Sequence, residues 1–194
     1  MKRCRLPALQ RAFPIVAAAL GRRFGVEVVI QGNDAMTNGK VIVIPALPPD
    51  SDLKEVAWGY LAHEAAHVRY TDFEAIRQST SSALRKQITN VLEDIRIEKA
   101  LAQEYPGTRQ TIGKVIQHLA DQQSLAAPAK DAHPAAILHG YLLLRLRADV
   151  LEQSVLAVAA DETEDLLRQV FPQGAVTRLN GLLAHVGSLT STFD

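Results

Sequence analysis

The stretch Leu61-Ala62-His63-Glu64-Ala65-Ala66-His67 decides how the chain is read, because it sets an HExxH motif inside a run of helix-forming residues. Four residues turn an α-helix through about 400°, so the two imidazoles stand only ~40° apart around the axis and ~6 Å along it. Both can reach one tetrahedral zinc ion. Glu64 projects beside them, where it can take a proton from an attacking water and later hand it to a leaving amine. The competing reading is a chance HExxH on an exposed helix. Leu61, Ala62, Ala65, Ala66 and Val68 argue against it, since two His and a Glu are costly to bury among small apolar side chains without a ligand.

A catalytic zinc site uses three protein ligands and keeps a fourth position open, so a third ligand is needed. No third His follows closely. Asp72 reads instead as part of the first turn of a helix opened by Thr71, whose spacing to Glu74 has the form of a capping box. The candidates are Glu93 and Asp94 in Asn90-Val91-Leu92-Glu93-Asp94-Ile95-Arg96-Ile97-Glu98, far enough along for a loop and a second helix to return to the first. Asn90, Asp94 and Glu98 recur every fourth residue and border the apolar stripe of Leu84, Ile88, Val91 and Ile95. In this phase Asp94 binds the metal, Glu98 orients a ligand imidazole through its second ring nitrogen, and Asn90 borders the site. Glu93 is the rival third ligand, with Ile97 one turn on in place of an acid. The remaining alternative is that these carboxylates form a solvated face with Arg96 and Lys99. A closed structural zinc site lacks a fourth ligand, since no Cys or further His lies near.

HEAAHVRYTDF followed by NVLEDIRIE resembles the metallopeptidase-like domain of cobalt-chelatase T-subunit-like proteins and of related metallopeptidases from phages and mobile elements. The similarity lies mainly in Ala57 to Leu101. It implies a zincin-like fold, with His63 and His67 as zinc ligands, Glu64 as base, and an acid from Glu93-Asp94 completing the site. Proteins of that kind typically join this domain to a von Willebrand A domain. The present sequence has no DxSxS metal-adhesion motif, so the expectation is an excised domain or a stand-alone relative. Chelatase activity is not implied, because nothing in the sequence suggests a porphyrinoid pocket.

Working outward, Leu9, Phe13, Val16 and Leu20 predict a helix from Pro7 to Phe24, with Gly21 and Gly25 as stop signals. The β-branched runs Val26–Ile30 and Val41–Ile44 predict two strands, separated by turn residues at 32–34 and 38–39. Asp50 or Ser51 can cap the motif helix, which runs to about Tyr70. A weak patch at 79–82 precedes the carboxylate helix, which starts at Ala83 and ends near Tyr105-Pro106-Gly107. Further helices are expected at Thr108–Gln122, Pro134–Leu151, Asp161–Val170 and Ala175–Val186. The fold class is α+β and mostly α: a small N-terminal sheet, the HExxH helix, a carboxylate-bearing helix, and a helical C-terminal part. Residues 1–107 form the metal-binding core, and 108–194 pack on the same domain.

The 194 residues carry 21 basic and 21 acidic side chains, so no net field draws the protein to nucleic acid or an anionic membrane. The basic N-terminus, Lys2 to Arg23, reads as a solvated face, for no nucleic-acid reader motif accompanies it. A lone Cys4 excludes an internal disulfide and a cysteine zinc site, and it fits a reducing, cytoplasmic setting. The basic start and the apolar run Phe13–Leu20 imitate a signal peptide, but Pro14 interrupts the run and Arg22-Arg23 follow it. Ala135–Leu144 is only about half the ~20 residues a spanning helix needs. His118, His133, His139 and His185 read as surface or satisfied helix residues, and Trp58 and Tyr60 as packing residues. Tyr70 and Tyr105 are candidates to stabilise an oxyanion. The expected function is a zinc-dependent peptidase, with an extended peptide adding to strand Lys40–Ile44 as a sheet edge and Gln87 and Asn90 lining the cleft. The alternative is a zincin-like assembly module for a von Willebrand A or AAA+ ATPase partner.

Overall fold

The computed structural model describes residues 8–46, 53–79 and 82–193. Cys4, the cap candidates Asp50 and Ser51, and residues 80–81 of the weak patch lie outside them. Helix α1 (Ala8–Leu20) is followed by strands β1 (Glu27–Ile30), β2 (Met36–Thr37) and β3 (Val41–Ile44). Helices α2 (Lys54–Tyr70), α3 (Phe73–Ser79), α4 (Ala83–Glu104) and α5 (Gly107–Asp121) come next, then α6 (Pro134–Asp149), α7 (Ala157–Val170) and α8 (Gln173–Leu183). The described chain is therefore α+β and mostly helical.

The first helix stops at Leu20 rather than Phe24. Arg22 and Gly25 adopt positive φ, 46° and 76°, which a helix cannot accommodate. The sheet has the order β1-β3-β2, with β1 parallel to β3 and β2 antiparallel to it. Strand β2 lies in the segment read as turns; its two residues are too few for alternation to show. Because β3 is paired on both sides, the substrate edge expected at Lys40–Ile44 is not an edge: Ile42 and Ile44 are buried at the sheet centre. Near the C-terminus, α7 opens at Ala157 after a single 3-10 turn at Ser154–Leu156, and a second such turn at Val186–Ser188 follows α8.

Helix α2 is covered on two sides, which follows from its sequence phase. Leu61, Ala65 and Val68 form one stripe and pack with Phe13, Ala17, Ile42 and Ile44 of α1 and the sheet. Ala62 and Ala66, one step around the helix, pack with Ile97 and Leu101 of α4, Ile112 and Ile116 of α5, and Leu144 of α6. This cluster draws on both sides of residue 107. Trp58 stacks edge-on against Phe13, with centroids 4.6 Å apart, and Tyr60 packs on the same cluster. Small side chains let neighbours approach closely: a Cβ at Gly59 would lie 2.3 Å from the Thr111 carbonyl oxygen of α5. Among the described residues no helix is long and apolar enough to cross a membrane.

Candidate metal centre

With its other faces committed to packing, α2 presents His63 and His67 towards α4. The rings stand nearly perpendicular, with centroids 4.9 Å apart. Asp94 enters from α4, its Oδ1 3.1 Å from His67 Nε2 and 3.9 Å from His63 Nε2. One donor atom from each of the three residues lies within 4.8 Å of the others, and this is the one such metal-ligand group among the described residues. Donors at ~2.0–2.1 Å from a tetrahedral zinc would be ~3.3 Å apart, a value that the two Asp94 distances bracket. The donor set of two imidazoles and a carboxylate therefore suits a divalent metal such as zinc.

The outward nitrogens are also accounted for. His63 Nδ1 pairs with Glu98 Oε1 at 2.9 Å, and His67 Nδ1 with Thr71 Oγ1 at 3.0 Å, which leaves both Nε2 atoms facing Asp94. Glu98 is 3% exposed and is held by the Arg147 guanidinium through two bonds, Nη2 to Oε1 at 3.0 Å and Nη1 to Oε2 at 3.3 Å. Gln153 Nε2 donates to its Oε2 at 3.3 Å. Burial alone would push the Glu98 carboxyl up, but the charge of Arg147 and the bond to His63 outweigh it and bring the carboxyl down to about 2. Burial would likewise push His63 down. The bond to Glu98 and the charges of Asp94, Glu98 and Glu64 instead hold its imidazole at about 9 in the metal-free protein. Glu64 is 4% exposed. Burial raises its pKa, the His63 and His67 charges oppose the rise, and Asp94 adds to it.

Glu93 does not share in the site. One helical step from Asp94, it is buried against Arg96, which donates from Nε at 2.8 Å and Nη2 at 2.7 Å, while the Thr192 hydroxyl donates at 3.1 Å. Arg96 Nη2 also donates to the Tyr70 carbonyl at 2.8 Å and so ties α4 to the end of α2. The carboxylates are thus not a solvated face: Glu93 and Glu98 are buried and Asp94 is half-buried. Asn90 sits one turn before Asp94 at the exposed end of the polar line, and Gln87 is exposed too.

Other assignments shift. Asp72, not Thr71, caps α3: its Oδ1 accepts from the backbone N–H groups of Glu74 and Ala75, each at 2.9 Å. Thr71 is thereby free to serve His67. The Tyr70 hydroxyl donates to Glu104 at 3.2 Å and the Tyr105 hydroxyl accepts from Arg69 at 3.4 Å, an arrangement around Arg69 rather than an oxyanion site. His133 caps α6 by accepting from the Ala135 N–H, and His118, His139 and His185 join no metal-ligand group. Sequence reasoning passed over Arg147 and Gln153. The available signal was a charged residue at 147 inside the leucine-rich run of α6, where Leu144, Leu146 and Arg147 are all buried.

The family model described as cobalamin biosynthesis protein CobT matches residues 5–189. Neither the curated proteins nor the solved structures compared with the chain include a significant match. With nearly its whole length matched, the chain belongs to the CobT family of cobalamin biosynthesis proteins.

Proposed function

We propose that the protein is a zinc-dependent metallopeptidase of zincin-like fold acting in the cytoplasm, with His63, His67 and Asp94 holding Zn2+ and Glu64 as the general base. The observation that carries this reading is the donor triad within 4.8 Å, set beside a buried glutamate in the HExxH position. Bound there, zinc would supply Lewis acidity towards a peptide carbonyl and an attacking water. Glu64 takes the proton from that water and returns it to the leaving amine; burial makes its carboxylate more basic, which suits it to that exchange. Glu98 and Thr71 fix the two imidazoles by their Nδ1 atoms, so neither ring has to reorient as the reaction proceeds. Asp94 completes the ligand set and leaves a fourth position for substrate.

A second reading has the same centre hold zinc within an assembly module for a von Willebrand A or AAA+ ATPase partner and turn over no peptide; the matched family is described by cobalamin biosynthesis and not by proteolysis. Metal analysis of the purified chain combined with a broad peptide-cleavage screen separates the two. Peptidase activity that is lost in Glu64→Gln while the zinc content stays at one per chain supports the first reading. Zinc binding with no cleavage of any peptide supports the second, and activity surviving in Glu64→Gln rejects Glu64 as base.

A further inference from the structure

Asp94 presents its two oxygens to different partners. Oδ1 faces the imidazoles, 3.1 Å from His67 Nε2 and 3.9 Å from His63 Nε2, whereas Oδ2 lies 3.9 Å from Arg147 Nη2. That Nη2 donates at 3.0 Å to Glu98 Oε1, the oxygen paired with His63 Nδ1. Nη1 reaches Glu98 Oε2 at 3.3 Å and Gln153 Oε1 at 3.2 Å. Arg147 is only 6% exposed and arrives from α6, an element that sequence reasoning gave no part in the site. A single planar fork therefore faces both the third ligand and the carboxylate that orients the first.

The geometry points to Arg147 as a positioning residue that restricts Asp94 to ligation through one oxygen and so keeps the centre four-coordinate, with one position open. A carboxylate free to rotate can bind through both oxygens, which fills the position a substrate needs. The charge on Arg147 attracts Oδ2 away from the metal, and the fork on Glu98 holds the guanidinium where it can do so. Lysine is no substitute: a single ammonium cannot grip both Glu98 oxygens and face Asp94 as well. The inference rests on the metal centre proposed above and not on peptide hydrolysis.

Cobalt substitution tests it, because visible absorption distinguishes four-coordinate Co2+, which absorbs strongly, from five- or six-coordinate Co2+, which absorbs weakly. The intact chain is expected to give the strong spectrum. Arg147→Lys, which keeps the buried charge, is expected to give the weak one and to bind zinc 10- to 100-fold less tightly, the usual loss on removing a residue that supports a ligand. Arg147→Ala should behave in the same way, and millimolar guanidinium, filling the vacated space, should restore the strong band. Melting of the metal-free variants confirms that they are folded. An unchanged cobalt spectrum in both variants overturns the inference, even where zinc affinity falls, since that pattern belongs to a merely structural arginine. An intact chain that takes up neither metal overturns the proposed centre itself, whereas metal binding without peptide cleavage overturns only the peptidase reading.

Discussion

Replacing Gly59 by alanine tests how tightly the HExxH helix is wedged against its neighbour. A Cβ there would sit 2.3 Å from the Thr111 carbonyl oxygen and 2.4 Å from Val115 Cγ2, where ordinary contact begins at 3.4 Å. Val115 can turn its methyl away. The Thr111 carbonyl belongs to the backbone of α5, so that helix has to retreat by about 1 Å. Overpacking of this kind costs up to about 3 kcal/mol, and alanine recovers about 1 kcal/mol of helix propensity, which leaves about 2 kcal/mol of destabilisation. For a chain of this length that corresponds to a fall in Tm of about 4–8 °C. Gly113→Ala is the control. It lies on α5 with nothing within 4 Å of its Cβ position, and it should raise stability by about 0.5–1 kcal/mol. Calorimetry of the two variants in chelator reads the contrast directly. Gly59→Ala melting at or above the parent protein would refute the close α2–α5 approach, and with it the packing that holds Ala62 and Ala66 against Ile112 and Ile116.

The metal-free protein should lose stability as pH rises from 6.5 through about 9. His63 is held above its ordinary value of 6.5, so its contribution of about 3 kcal/mol is complete below 6.5 and gone above 9; a melting point flat across that interval would contradict the His63–Glu98 contact. Glu98 acts at the other limit: it is lowered from 4.5 to about 2, and its contribution is lost as pH falls through that interval. Zinc takes the deprotonated imidazole, so its stabilising increment, measured by calorimetry with and without metal, should widen over the same rise. Asp94→Asn should abolish stoichiometric zinc binding in equilibrium dialysis. Glu93→Gln should keep it while lowering stability by about 3–5 kcal/mol, because the buried charge of Arg96 loses its counter-charge. Thr71→Val should weaken zinc binding up to about tenfold through loss of the His67 Nδ1 partner, with far-UV circular dichroism unchanged.

The candidate triad was legible because each of its residues depends on local helix phase. The i, i+4 spacing of His63 and His67 needs no tertiary information, and the same spacing from Asp94 to Glu98 favours Asp94 over Glu93 from sequence alone. What lay beyond reading depends on long-range partners. Strand β2 is two residues long, and the central place of β3 follows from how β1 and β2 flank it rather than from its own Val-Ile-Val-Ile run. The cap moved from Thr71 to Asp72 because either residue type can cap a helix; Thr71, one turn after His67, pairs with its imidazole, and Asp72 takes the N–H groups of Glu74 and Ala75. Arg147 lies 49 residues from Glu98, and no periodicity connects the two.

The contrast between Glu93 and Asp94 shows how one helix builds a site and braces it. A single residue rotates the side chain by about 100°, which sends Asp94 towards the imidazoles and Glu93 towards Arg96 and Thr192. Both contacts act on α2. Asp94 and Glu98 meet His63 and His67 directly, while Arg96, held by Glu93, grips the carbonyl of Tyr70 at the helix end. The turn that carries His67 is therefore fixed from two sides of α4, and Arg147 holds the site's carboxylates from α6. Such a frame has its donors near their ligating separations before a metal arrives. A metal bound there would spend its binding energy mainly on ligation rather than on folding the chain, unlike in small zinc domains whose fold forms only with the metal.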